Sequence, residues 1–194
     1  MFAQLTGQFL HKTPTHVVVD CNGVGYEVHI SLNTYTAISP LDKGSLFTHL
    51  KVSEDAFTVY GFAELVEKEI FLKLISVSGV GAATARMMLN SLKPTEIQQA
   101  IASNNVKLLE SIKGIGKKTA ERIALELRDK MGGIGASGAV ATRLHNTAEQ
   151  EALEALVALG IGKTAAEQAI RKTQASTTAQ LPVEAIIKQA LKFL

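Results

Sequence analysis

Two stretches of this chain repeat one another without a gap, and no other feature restricts the possible folds so much. LISVSGVGAATARMM, from Leu74, and LESIKGIGKKTAERI, from Leu109, align at an offset of 35 residues. Leu74/Leu109, Ser76/Ser111, Gly79/Gly114, Gly81/Gly116, Thr84/Thr119 and Ala85/Ala120 are identical. Val77/Ile112, Val80/Ile115 and Met88/Ile123 keep their character. Agreement on this scale marks a duplicated supersecondary unit. Each copy predicts a helix, a tight Gly-hydrophobic-Gly turn and a second helix. The glycines supply turn conformations that other residues reach only with strain, and they let an anion approach the backbone. Val80 and Ile115 anchor the turn between the helices. The free N–H groups that open the second helix, together with its dipole, favour a phosphate. The expected cradles are Gly79, Val80, Gly81 and Ala82 in the first copy, and Gly114, Ile115, Gly116, Lys117 and Lys118 in the second.

Lys117 and Lys118 sharpen that reading. They fall in the first helical turn, where a cation costs about 0.3–1 kcal/mol when no anion is near. A bound phosphate reverses the sign. On an ordinary helix they would be two solvated lysines; beside a duplicated Gly-Ile-Gly turn, phosphate contact is the better account.

The flanks of the repeat differ in kind. Residues 1–62 predict β structure: Phe2–Leu10, Thr15–Cys21, Gly25–Ser31, Ser45–Ser53 and Phe57–Phe62. Asn22–Gly23 marks a hairpin because both residues tolerate positive φ, and Glu54–Asp55–Ala56 joins the last two strands. Five strands suit a small OB-type barrel, with an SH3-like barrel fitting nearly as well. Helical spacing starts at Glu64 and continues to Met131. Residues 132–146, GGIGASGAVATRLHN, offer little to bury and read as a flexible linker. In residues 147–194, Thr147 with Gln150 and Thr164 with Glu167 have capping-box spacing, and Pro182 suits the first turn of a third helix. The fold class is therefore α+β and multidomain: a barrel (1–62), an all-α tandem-hairpin domain (63–131), a linker and a three-helix bundle (147–194).

A net charge of +2 does not by itself announce a nucleic-acid binder, but its distribution is uneven. Residues 1–62 carry −2, residues 63–131 carry +3 and residues 132–194 carry +1. The cations concentrate around the cradles. Cys21 is the one cysteine and reads as a small core residue in a reducing compartment. There is no signal-peptide pattern at the start and no apolar run near the roughly 18 residues of a membrane span. A soluble cytoplasmic protein is expected.

Enzymatic readings find little support. Gly162-Lys163-Thr164 resembles the end of a P-loop, but the first glycine of that motif falls on Val157. A repair-glycosylase reading needs an Asp after the hairpin, and the last Asp is Asp129, immediately before the linker. The histidines at 11, 16, 29, 49 and 145 lack metal-ligand spacing. No catalytic residue, metal or cofactor is expected. Leu159–Ala165 mirrors the second hairpin and is a lesser candidate for a third.

Gly114-Ile115-Gly116-Lys117-Lys118-Thr119-Ala120-Glu121-Arg122 resembles the helix-hairpin-helix motif of DNA-binding proteins, which implies sequence-independent contact with the backbone. With Gly23–Val28, Glu54-Asp55-Ala56 and Tyr60-Gly61-Phe62, and with the order of barrel, tandem hairpins, linker and tail, the whole chain is similar to the RuvA family of bacterial branch-migration proteins. The resemblance implies a homotetramer or double tetramer whose paired hairpins grip the arms of a four-way (Holliday) junction and hold it open and planar. It implies that Glu54 and Asp55 form an acidic pin at the crossover. It further implies that 147–194 dock on a hexameric ATPase, RuvB, that the resolvase RuvC is a further partner, and that the complex serves recombination and repair. A general duplex-binding adaptor is the alternative. Two departures stand out. Ser53 occupies a place where family members often have Arg. Ala82 and Ala83 stand where the second copy has lysines, so the first cradle would rest on backbone N–H groups, helped by Arg86.

Overall fold

The computed structural model describes residues 2–131, 147–175 and 181–193; the expected linker at 132–146 lies outside the described residues. The chain divides into two compact units, Met1–Ala139 and Val140–Leu194.

In the first unit, β1 (Gln4–Lys12), β2 (His16–Cys21), β3 (Val24–His29), β4 (Lys43–Val52) and β5 (Phe57–Phe62) close a barrel in the order β1-β2-β3-β5-β4. Asn22 and Gly23 take positive φ of 55° and 90° at the β2–β3 turn, as their residue types allow. The β3–β5 pairing is parallel, through Val28↔Val59 and His29↔Tyr60. A parallel pair requires a long crossover, and that crossover carries a helix the sequence reading did not foresee, α1 (Leu32–Ile38), capped by Ser31, whose Oγ accepts from the Thr34 N–H. Closure with this crossover is the OB-type arrangement and sets the SH3-like alternative aside. Val17, Val19, Val28, Ile30 and Leu46 fill the interior.

The other face of β5 belongs to a second core. Strand alternation turns Tyr60 and Phe62 outward, where they meet Phe71 at ring-centroid distances of 5.1 and 5.0 Å. Phe71 lies on α2 (Leu65–Ile75), followed by α3 (Ala82–Ser91), α4 (Pro94–Ala102), α5 (Val106–Glu110), α6 (Lys117–Leu127) and a 3-10 turn at Arg128–Lys130. Ile70, Leu74, Met88, Leu89, Ile97 and Ile123 are buried between them.

Polar contacts fix α1 against α2 and α3. The Leu32 N–H donates to Asn90 Oδ1 at 2.9 Å, and Asn33 Nδ2 donates to the carbonyls of Leu89 (2.6 Å) and Leu92 (3.2 Å). Glu67, only 2% exposed, accepts from Ser31 Oγ and, at 2.6 Å, from Thr34 Oγ1. Thr34 Oγ1 in turn accepts from the Ala63 N–H at 3.0 Å. Burial, with a smaller push from Glu64, raises the Glu67 pKa against the pull of the two hydroxyls. A carboxyl with a raised native pKa favours folding most when protonated, and that contribution is lost as pH climbs from the ordinary 4.5 through the raised value. Glu67→Gln keeps an acceptor and removes the titration. The thermal midpoint of the natural chain, measured relative to Glu67→Gln, is therefore expected to fall as pH rises through this window. A rise would contradict the assignment.

The second unit contains α7 (Thr147–Ala158), α8 (Lys163–Ala175) and α9 (Val183–Ala190), packed around Ala152, Leu156, Ala166, Ala169, Ile170 and Ile186. Pro182 is the N-cap of α9. Thr164 lies inside α8, so the expected capping box there is not at the helix start: the helix opens two residues earlier, with the Ala166 N–H donating to Gly162 O at 3.0 Å. Among the described residues no helix is long and apolar enough to cross a membrane.

Candidate nucleic-acid interface

The duplicated sequence produces duplicated backbone geometry. Gly79 and Gly114 have φ of 89° and 91°, a region where a side chain is strained. The second glycines, Gly81 and Gly116, are the N-caps of α3 and α6, with φ/ψ of −82°/168° and −84°/165°. The Val80 N–H donates to Val77 O and the Ile115 N–H to Ile112 O, both at 3.0 Å. The next turn closes through Ala85 N–H to Gly81 O and Ala120 N–H to Gly116 O, both at 2.9 Å. Val80 and Ile115 are buried, and that burial stabilises each turn by about 1.5–3 kcal/mol.

Both helix starts are open. No side chain caps α3 or α6. A Cβ placed on Gly81, Gly114 or Gly116 would meet nothing within 4 Å, so an anion has room to reach the backbone. In the second copy Lys117 and Lys118 are exposed at the edge of this space, and among the described residues neither forms an ion pair. In the first copy Ala82 is buried, so all it can offer a ligand is its N–H.

A cation stands beside the first turn, and it comes from the second copy. Arg122, on α6, donates from Nη1 to the Ser78 carbonyl at 3.0 Å, and the same atom lies 3.9 Å from where a Gly79 Cβ would be. The guanidinium thus stands beside a cradle whose own helix has alanines in its first turn. Sequence reasoning did not assign Arg122 this place; the one available signal was a cation at the position where the first copy has Met87. Arg86, expected to help the first cradle, is instead held by the barrel. Its Nη1 donates to the Thr15 carbonyl at 3.3 Å and to His29 Nδ1 at 3.0 Å. Burial, reinforced by this guanidinium, holds His29 below its ordinary pKa, which suits a neutral ring accepting at Nδ1.

Residues 1–61 match the family model of the RuvA N-terminal domain, residues 71–129 that of a SAM-like helix-hairpin-helix tandem, and residues 147–194 that of the RuvA C-terminal domain. Proteins named Holliday junction branch migration complex subunit RuvA are 48% identical in Christiangramia forsetii and 49% in Flavobacterium psychrophilum, each aligned over the whole of both chains. The protein of that name in Bacteroides fragilis is 40% identical, again over the full length of both. The chain belongs to the RuvA family.

Within this RuvA-family chain the remaining assigned residues lie elsewhere. Glu54 and Asp55 form the exposed tip of the β4–β5 hairpin. Ser53 closes that tip, donating to Ala56 O from its N–H and from Oγ, each at 3.0 Å. The third Gly-hydrophobic-Gly segment shares one feature with the cradles, a φ of 89° at Gly160, but differs in its bonds. There α7 runs to Ala158 and is closed by Gly160 N–H to Val157 O and Ile161 N–H to Leu156 O, a helix C-cap of Schellman type. In the two cradles the preceding helix has ended four residues before the glycine. Among the described residues no cluster of three or more His, Cys, Asp and Glu could hold a metal ion; His145 lies outside them.

Proposed function

We propose that the protein is the non-catalytic DNA-binding subunit of a branch-migration complex, recognising four-way (Holliday) junctions by their shape. The observation that carries this reading is the pair of matched, uncapped helix starts, with Lys117, Lys118 and Arg122 beside them. Such a surface holds phosphates without reading bases, since backbone contacts position a protein on DNA and carry no sequence information. The full-length likeness to proteins named as branch-migration subunits supports the choice of a junction.

In this reading residues 63–131 grip the arms through Gly79–Ala82 and Gly114–Lys118. Residues 1–62 form the centre of a homotetramer or double tetramer. Glu54 and Asp55 are the pin: carboxylates repel phosphates, so they lower affinity and keep the backbones apart at the crossover. Residues 147–194 dock on the hexameric ATPase RuvB, which supplies the motor, and the resolvase RuvC is a further partner on the same junction.

The test is a gel-shift competition between a synthetic four-way junction and linear duplex of the same sequence at moderate salt. Strong preference for the junction is expected. Equal affinity would reduce the protein to a general duplex-binding adaptor.

A further inference from the structure

The β4–β5 hairpin outruns the barrel that holds it. β5 meets β3 only at Val59 and Tyr60, whereas its pairing with β4 continues through Lys51↔Thr58 to Val52↔Phe57. Side chains alternate along each strand, so Leu50, Val52, Phe57 and Val59 share one face of this ribbon. Val59 is in the barrel core and Leu50 packs against it. One pair further out the same stripe has nothing to cover it. Val52 is 62% exposed and Phe57 77%, the highest value for any large hydrophobic side chain among the described residues. Phe57 also takes part in none of the ring contacts that engage other aromatics of the barrel.

The chemistry at the end of this ribbon excludes a phosphate and suits a base. Glu54 and Asp55 repel the backbone, and Lys51 projects from the opposite face. A nucleobase offers an apolar π-face to the phenyl ring and amino hydrogens to the carboxylates, as cytosine N4 does to Asp or Glu. Aromatic stacking accepts any base, because every base has such a face. A base presents that face together with a free N–H edge only when it has left its pair, and in a four-way junction that occurs where strands exchange partners. A second copy of the chain fits less well, since two ribbons meeting on this face would crowd their carboxylates together.

We propose that Phe57 stacks on an unpaired base at the crossover of a four-way junction, with Glu54 and Asp55 accepting from an N–H on its freed pairing edge. The proposal rests on the junction-binding reading above. The phenyl ring replaces the stacking neighbour a base loses between one pairing and the next, which eases the exchange without favouring a sequence.

Phe57→Ala is expected to lower affinity for a four-way junction about fivefold or more and to leave affinity for linear duplex unchanged. Phe57→Tyr restores the natural behaviour. The chain contains no Trp, so Phe57→Trp provides a single tryptophan, excited apart from the tyrosines, whose emission should be quenched by the junction and not by duplex. An equal loss on both DNAs, or emission indifferent to a junction that a gel shift shows to be bound, overturns the inference and leaves junction binding standing. A Trp signal that is already shielded, in a concentration-dependent way, before DNA is added places a second copy over Phe57 and also overturns it. A natural chain that shows no preference for the junction removes the reading beneath both.

Discussion

Replacing Lys117 and Lys118 together by alanine weakens binding to a four-way junction about tenfold or more at moderate salt and flattens its dependence on salt. Each phosphate contact releases counterions, so the slope of log affinity against log salt loses about 0.9 for every contact removed. Two lysines therefore account for about 2 in that slope for each protomer engaged. The variant separates a binding defect from a folding defect unusually well. Both side chains are exposed, and taking cations out of the first turn of α6 removes an unfavourable dipole interaction of about 0.3–1 kcal/mol each. The thermal midpoint should hold or rise while affinity falls. A salt slope that does not change would show that these lysines meet no phosphate.

Removing residues 147–194 is expected to leave junction binding intact and to abolish stimulation of the RuvB ATPase by the junction complex. The second unit has its own core around Leu156, Ile170 and Ile186, and the first is closed around Phe71 and Leu74 without help from it. The measurement is ATP hydrolysis by RuvB with junction DNA and either the full or the shortened chain. Stimulation that persists with the shortened chain would move the motor contact into the barrel or the hairpins.

What the sequence revealed follows from the range of the forces involved. The hairpin turns were legible because a Gly-hydrophobic-Gly turn is set by local backbone sterics, and duplication showed the solution twice. The Asn22–Gly23 turn was legible for the same reason. Helix α1 was not: Leu32–Ile38 is seven residues with Thr, Asn and Tyr among them, too short for a period to stand out, and its place depends on Glu67, Leu89 and Asn90 from distant parts of the chain. The partners of Arg86 and Arg122 were not legible because an arginine reaches far; one donates to the barrel at Thr15 and His29, the other to Ser78. Phe57 looked like the start of an ordinary strand, since nothing local says that β5 begins beyond the rim. At Thr164 a capping pattern was present, but Gly162 opens the helix two residues earlier and prevails.

The contacts of Leu32, Asn33 and Thr34 with α2 and α3 have a mechanical consequence. They fasten the barrel to the first hairpin through hydrogen bonds at 2.6–3.2 Å, exposed at Leu32, half-buried at Asn33 and buried at Thr34. The barrel and the first Gly-Val-Gly turn then share one frame, in the way the jaws of a caliper share one beam. DNA drawn past such a gauge is presented at the same spacing whatever its sequence, so successive base-pair steps meet one unchanging frame.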